Sequence, residues 1–156
     1  MKSLKKTLLL LLLLLPLFFL VLPQSFALQP SECKRLEAIC LSLKGTPYVW
    51  GGASERGMDC SGAVYVVAKK MGRPVPRTTA LKYWLTTTSP SVHWREADCG
   101  YLVWWQFSRK RPYGHVGIMT YNPAFWQAGK STGFIKARFR PGNIWDKKFV
   151  GAKSFF

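Results

Sequence analysis

Beyond the first thirty residues, apolar positions recur at helical spacing twice before the period changes. Leu36, Ile39 or Cys40, and Leu43 share one face of a helix that Ser31 can cap and that runs to about Lys44, with Gly45 as its stop. Residues 46–52 cannot continue it, because Pro47 and the pair Gly51-Gly52 favour an extended, glycine-ended segment. Ala63, Val64, Val67, Ala68 and Met71 predict a second helix over residues 60–71, terminated by Gly72. Pro74-Val75-Pro76 then leads to a short third helix around residues 79–85, and residues 86–98 are mostly polar and turn-like. From Tyr101 the pattern turns to strands. Residues 101–107 are aromatic and β-branched, residues 114–120 alternate, and Asn122-Pro123 marks a turn. Residues 124–128, 133–140 and 149–155 are further strand candidates. Helices first and an antiparallel sheet afterwards is the α+β pattern, with N-terminal helices packed on the sheet in a single domain.

The N-terminus follows a different rule. Lys2, Lys5 and Lys6 precede an almost wholly apolar run from Leu8 to Leu22, and Ser25-Phe26-Ala27 offers the small residues a signal peptidase needs. Residues 1–27 therefore predict a cleaved export signal, and residues 28–156 the working domain. The apolar run of 15 residues is short of the roughly 20 that a membrane-spanning helix requires, so no stable membrane anchor is expected. The protein is placed in the periplasm or outside the cell, at the wall. Losing residues 1–27 removes three lysines and leaves 20 basic against seven acidic residues, a formal charge of +13. Such a balance favours anionic wall polymers as partners of a monomer; a basic surface with no specific partner explains it equally well. No nucleic-acid motif is present.

Export changes how the four cysteines are read, since an oxidising compartment permits bridges. Cys33 and Cys40 on one helix lie about 10.5 Å apart along its axis, too far to bond. A bridge from either to Cys99 is open, but the favoured expectation is three buried, reduced cysteines beside Cys60, packed as small apolar side chains. Core packing is also expected for each of the seven tryptophans, with Trp50 and Trp84 the two that a substrate groove could use.

Cys60 and His115 carry the candidate chemistry. Cys60 opens the second helix, where free backbone donors and the helix's positive end favour a thiolate, and an imidazole nearby would hold the proton. Asp59 opposes that thiolate if it points inward, so it is expected to turn away or hold a backbone turn. His115 needs a third group on its other ring nitrogen. If strands 114–120 and 124–128 pair so that facing residue numbers have an even sum, as with 118 and 126, His115 and Gln127 are diagonal neighbours on one face. That register also sends Val116, Ile118, Trp126 and Ala128 together to the other, apolar face. His93 is a competing base in a loop-like setting. A zinc site from Cys60, Cys99, His93 and His115 lacks the usual short-range ligand spacing, so no metal and no organic cofactor is expected.

Pro47-Tyr48-Val49-Trp50-Gly51-Gly52, Asp59-Cys60-Ser61-Gly62, Val75-Pro76-Arg77-Thr78-Thr79 and Gly114-His115-Val116-Gly117-Ile118 stand in an order and spacing that resembles the NlpC-type cell-wall cysteine peptidases, a papain-like group. The resemblance covers roughly residues 32–140. It implies a papain-like fold, Cys60 as nucleophile, His115 as base and Gln127 at the third catalytic position. It also implies Tyr48 near the oxyanion, Ser61 at the substrate's amino end, and Arg77 as a structural or groove residue; Asp59 and Trp50 border the same site. Members often carry histidine where this chain has Gln127. Tyr101 replaces the acid of the family's Pro-Gly-Asp-Leu-Val-Phe-Phe segment. The implied activity is hydrolysis of the amide between D-isoglutamate and a diamino acid in peptidoglycan stem peptides. An N-acetylmuramoyl-L-alanine amidase, another wall-directed amide hydrolase or acyltransferase with the same Cys-His pair, and an inactive wall-binding module are the alternatives.

Overall fold

The computed structural model describes residues 28–156; the export signal proposed for residues 1–27 lies outside them. Helix α1 spans Pro30–Ser42 and buries Cys33, Leu36 and Cys40 along one face. Ser31 does not cap it. Pro30 occupies the first helical turn, where its missing N–H loses nothing, and Gln29 takes the cap position without a side-chain bond. Gly45, at φ 86°, turns the chain away. The segment that follows contains a two-residue hairpin absent from the sequence expectation, β1 (Ala53–Ser54) against β2 (Gly57–Met58). Helix α2, Cys60–Lys70, is capped by the Asp59 carboxylate and buried along nearly its whole first two turns. Helix α3, Ala80–Thr86, is capped by Thr79.

Five antiparallel strands follow: β3 (Tyr101–Trp105), β4 (His115–Met119), β5 (Ala124–Gly129), β6 (Gly133–Arg138) and β7 (Phe149–Ser154), in spatial order β6-β5-β4-β3-β7. Strand β3 stops at Trp105 rather than Phe107, at a register shift against β7. A single-turn helix α4, Ile144–Lys148, precedes β7 and was not expected. The sheet is apolar on both faces. Leu102, Trp104, Val116, Ile118, Trp126 and Ala128 pack with α1 and α2 on one side. Val103, Trp105, Met119, Phe125 and Phe139 form a second cluster on the other. No helix among the described residues is long and apolar enough to cross a membrane.

The cysteines differ from expectation. Cys33 and Cys99 form a disulfide, which ties α1 to the turn before β3, while Cys40 and Cys60 are free and buried. The sequence could not supply the pairing, because it depends on which segment α1 packs beside. It also removes Cys99 from any zinc set with Cys60 and the histidines.

Candidate active site

The site is built at the mouth of α2, where the chain just before the helix folds back over its first turn. Asp59 holds that turn with all its acceptor capacity directed to the protein. One carboxylate oxygen accepts from the Gly62 amide at 2.6 Å and the Ser61 hydroxyl at 2.8 Å. The other accepts from the Gly51 amide at 2.9 Å and from Arg77 at 2.8 Å. Burial alone would raise its pKa, but these donors outweigh burial and hold it below the usual carboxylate range. Asp59 thus acts as a staple and has no oxygen left over for a substrate. Ser61, buried beside it, also accepts from Arg77 at 2.9 Å, which leaves its hydroxyl one lone pair. Arg77 further donates to the Thr78 carbonyl.

Gly62 is demanded by this packing. A Cβ on it would sit 1.9 Å from the Gly52 carbonyl oxygen, so only glycine lets the segment before β1 lie across the helix.

Strand register supplies the other half. Ile118 faces Trp126 and Met119 faces Phe125, the even-sum register, and His115 Nε2 lies 3.0 Å from Gln127 Oε1. An amide oxygen can only accept, so Nε2 carries the proton and Nδ1 keeps its lone pair. Gln127 is itself buried. The ring of His115 also faces an aromatic wall that the sequence reading missed: Trp105 at 5.6 Å, Phe107 at 5.8 Å and Trp145 at 6.1 Å between ring centroids. Only Trp105 had a local signal, since it pairs with His115 across β3 and β4. Phe107 lies past the end of β3, and Trp145 arrives on α4.

Cys60 and His115 border one cavity of about 460 Å³, together with Tyr48, Trp50, Asp59, Ser61 and Arg77. The eight residues expected at the site are therefore brought together, seven around the cavity and Gln127 behind His115. Trp84 is not among them; it stacks on Tyr113 at 4.3 Å. Trp50 is 70% exposed and so is a wall of the cavity rather than core. His93 is exposed and lies outside the cavity.

Burial opposes the ionisation expected for Cys60. Burial pushes the thiol up to about 11; the amide of Val116 opposes this, the Asp59 carboxylate adds to it, and the amides of Ser61 and of Cys60 itself oppose it further. Burial likewise pushes His115 down to about 4, despite the Gln127 contact. Both shifts favour the neutral thiol and imidazole over the ion pair. At the helix mouth, dehydration of the sulfur outweighs the donors there. Tyr48 is raised as well, by burial first and then by its proximity to Cys60 and Asp59.

A model of the NlpC/P60 family matches residues 45–154. The chain is 33% identical over 111 residues to the murein DD-endopeptidase MepH of Escherichia coli, an alignment covering 70% of this chain and 41% of that protein. It is 52% identical over 113 residues to the gamma-D-glutamyl-L-lysine dipeptidyl-peptidase of Bacillus subtilis, covering 72% of this chain and 37% of that one. Both relatives are thus more than twice as long as the part matched. Among solved structures, a lipoprotein-like protein of the same family from Staphylococcus aureus superposes with a TM-score of 0.70 at 26% identity, over 87% of this chain and 45% of that chain.

Proposed function

Since this chain belongs to the NlpC/P60 family, we propose that it is a peptidoglycan hydrolase, a cysteine endopeptidase that cleaves the amide between D-isoglutamate and the diamino acid of stem peptides. The observation that carries the reading is one cavity bordered by Cys60 at a helix mouth and by His115, whose Nε2 is fixed by Gln127. With Nε2 occupied, Nδ1 is the nitrogen free to take the thiol proton. The sulfur attacks the substrate carbonyl as that proton moves to His115, so no standing thiolate is needed. Backbone amides of the first turn of α2, with Tyr48 alongside, receive the oxyanion. The C–N bond breaks as His115 returns the proton to the leaving amine, which leaves a thioester on Cys60. His115 then deprotonates water, which attacks the thioester and regenerates the thiol. Gln127 is a positioning residue in this scheme: it fixes the tautomer but contributes no charge.

The likeness to the B. subtilis dipeptidyl-peptidase, whose name specifies a γ-glutamyl bond, supports this bond. The likeness to a murein DD-endopeptidase supports a second reading, in which the same machinery opens crosslinks between D-amino acids. Mass analysis of digested sacculi separates the two, because each leaves a different new terminus. Cys60→Ala is expected to abolish product formation while leaving the circular dichroism unchanged. Undiminished hydrolysis by that variant would refute the mechanism. Action outside the cytoplasm is part of the proposal, supported by the leader pattern of residues 1–27 and by the Cys33–Cys99 bridge, which persists where thiols are not kept reduced.

A further inference from the structure

The cavity that holds Cys60 and His115 is bordered by three permanent cations, Arg77, Arg111 and Lys130, and by a single carboxylate, Asp59. Arg77 and Asp59 neutralise each other at 2.8 Å. Arg111 and Lys130 have no carboxylate partner among the described residues. Unpaired cations are common in a chain this basic, so their position decides the matter. Arg111 closes a tight turn over residues 108–111, its amide donating to the Ser108 carbonyl at 3.1 Å. Its guanidinium lies over the Trp50 ring, 5.4 Å from the centroid. The contact joins the two walls of the cavity, one from the β3–β4 loop and one from the segment before β1. Downstream of Arg111 the same loop is pinned by the stacking of Tyr113 on Trp84. Lys130 stands just past Gly129, at the tight β5–β6 turn. Arg111 is therefore held at the border of a site whose own acid is already saturated, and Lys130 lines the same cavity.

We propose that Arg111, with Lys130, forms a carboxylate-recognition site that selects substrates bearing a free anionic group beside the scissile amide. This rests on the reaction proposed above. There the acyl residue is joined through its side-chain carboxyl, so its α-carboxylate stays free, four bonds from the carbon that Cys60 attacks. A guanidinium placed over an aromatic ring can present paired donors to such a group. An amidated stem peptide has the same shape and lacks the charge. The enzyme thus discriminates between the acid and amide forms of the wall.

The test uses two synthetic stem tripeptides that differ only at the D-isoglutamate α position, carboxylate in one and carboxamide in the other. kcat/KM is measured on each, and equilibrium binding of each to the Cys60→Ala protein. The expected result is a preference for the carboxylate peptide of about tenfold in both measurements, the lower end for a charge-assisted hydrogen bond at an open site. Arg111→Gln should remove the preference by weakening the carboxylate peptide alone, and Arg111→Lys should restore part of it. Lys130→Gln should reduce it by a smaller factor. Equal binding of the two peptides by the Cys60→Ala protein, or an equal loss on both in Arg111→Gln, overturns the inference. Selective binding without hydrolysis by the wild type would instead overturn the proposed reaction and leave the recognition site standing. If neither peptide binds, both proposals fall.

Discussion

The imidazole of His115 is held between an aromatic wall and an amide oxygen, and neither partner offers it a negative charge. Its imidazolium is therefore poorly stabilised, which is why burial can bring it down to about 4. Catalysis by the proposed route needs a neutral His115 to receive the thiol proton, and a protonated Cys60 to supply it. The kcat/KM of the wild type on a soluble muropeptide should therefore stay level through neutrality and fall only as the pH approaches about 4, well below an ordinary histidine. Gln127→Glu places a carboxylate where the amide oxygen stands. That favours the imidazolium and should move the acid limb upward by a unit or more. A pH–rate profile of the two proteins checks this; coincident acid limbs would mean that the 127 side chain does not govern the base. The placement of Cys60, His115 and Gln127 together was legible because each follows from a local rule, a helix start or a period of two. Their ionisation was not. It depends on how much protein surrounds them, and around His115 that protein includes Trp145, which α4 brings in from 30 residues further along the chain.

At the scale of elements, periodicity located α2, α3 and all five strands to within a residue or two, and the apolar alternation chose the correct β4–β5 register. Where it failed, the local cause can be named. Pro30 starts α1 one residue ahead of Ser31, and α4 is a single turn with too few residues to show a period. The β1–β2 hairpin has only two residues in each strand, so alternation cannot reveal it. Its importance lies in what it carries: the adjoining Gly51 amide bonds Asp59, and the Gly52 carbonyl accepts from the Asp59 amide at 3.1 Å. The tight crossing of Gly62 under Gly52 is the joint between this segment and the helix that Cys60 opens. Gly62→Ala must push the two apart, because the obstructing atom is a backbone oxygen and cannot rotate away. The variant should lose several kcal/mol of stability, in the range of severe overpacking, and its activity should fall at temperatures where it remains folded. Thermal melts beside turnover at low temperature would show both losses. A fully active, equally stable Gly62→Ala protein would show that the crossing is not rigid.

For the molecule as a whole, the sheet has apolar clusters on both faces, and α1 is joined covalently to the chain ahead of β3. The linked residues are 66 apart, so the bridge closes a long loop in the unfolded chain. The loop-entropy relation puts its contribution at about 4 kcal/mol. No atom of the bridge lies at the cavity, which separates its effect on stability from the chemistry. The double variant Cys33→Ser, Cys99→Ser should therefore melt lower by roughly 15 °C while retaining turnover on muropeptides at room temperature. A reductant should lower the melting temperature of the wild type by a similar amount and leave the double variant unmoved, since Cys40 and Cys60 are already free thiols. Equal melting temperatures for the two proteins would show that packing of Leu36, Cys40 and Leu43 suffices to hold α1. Loss of turnover in the variant at a temperature where it is folded would instead show that α1 positions α2, and with it Cys60.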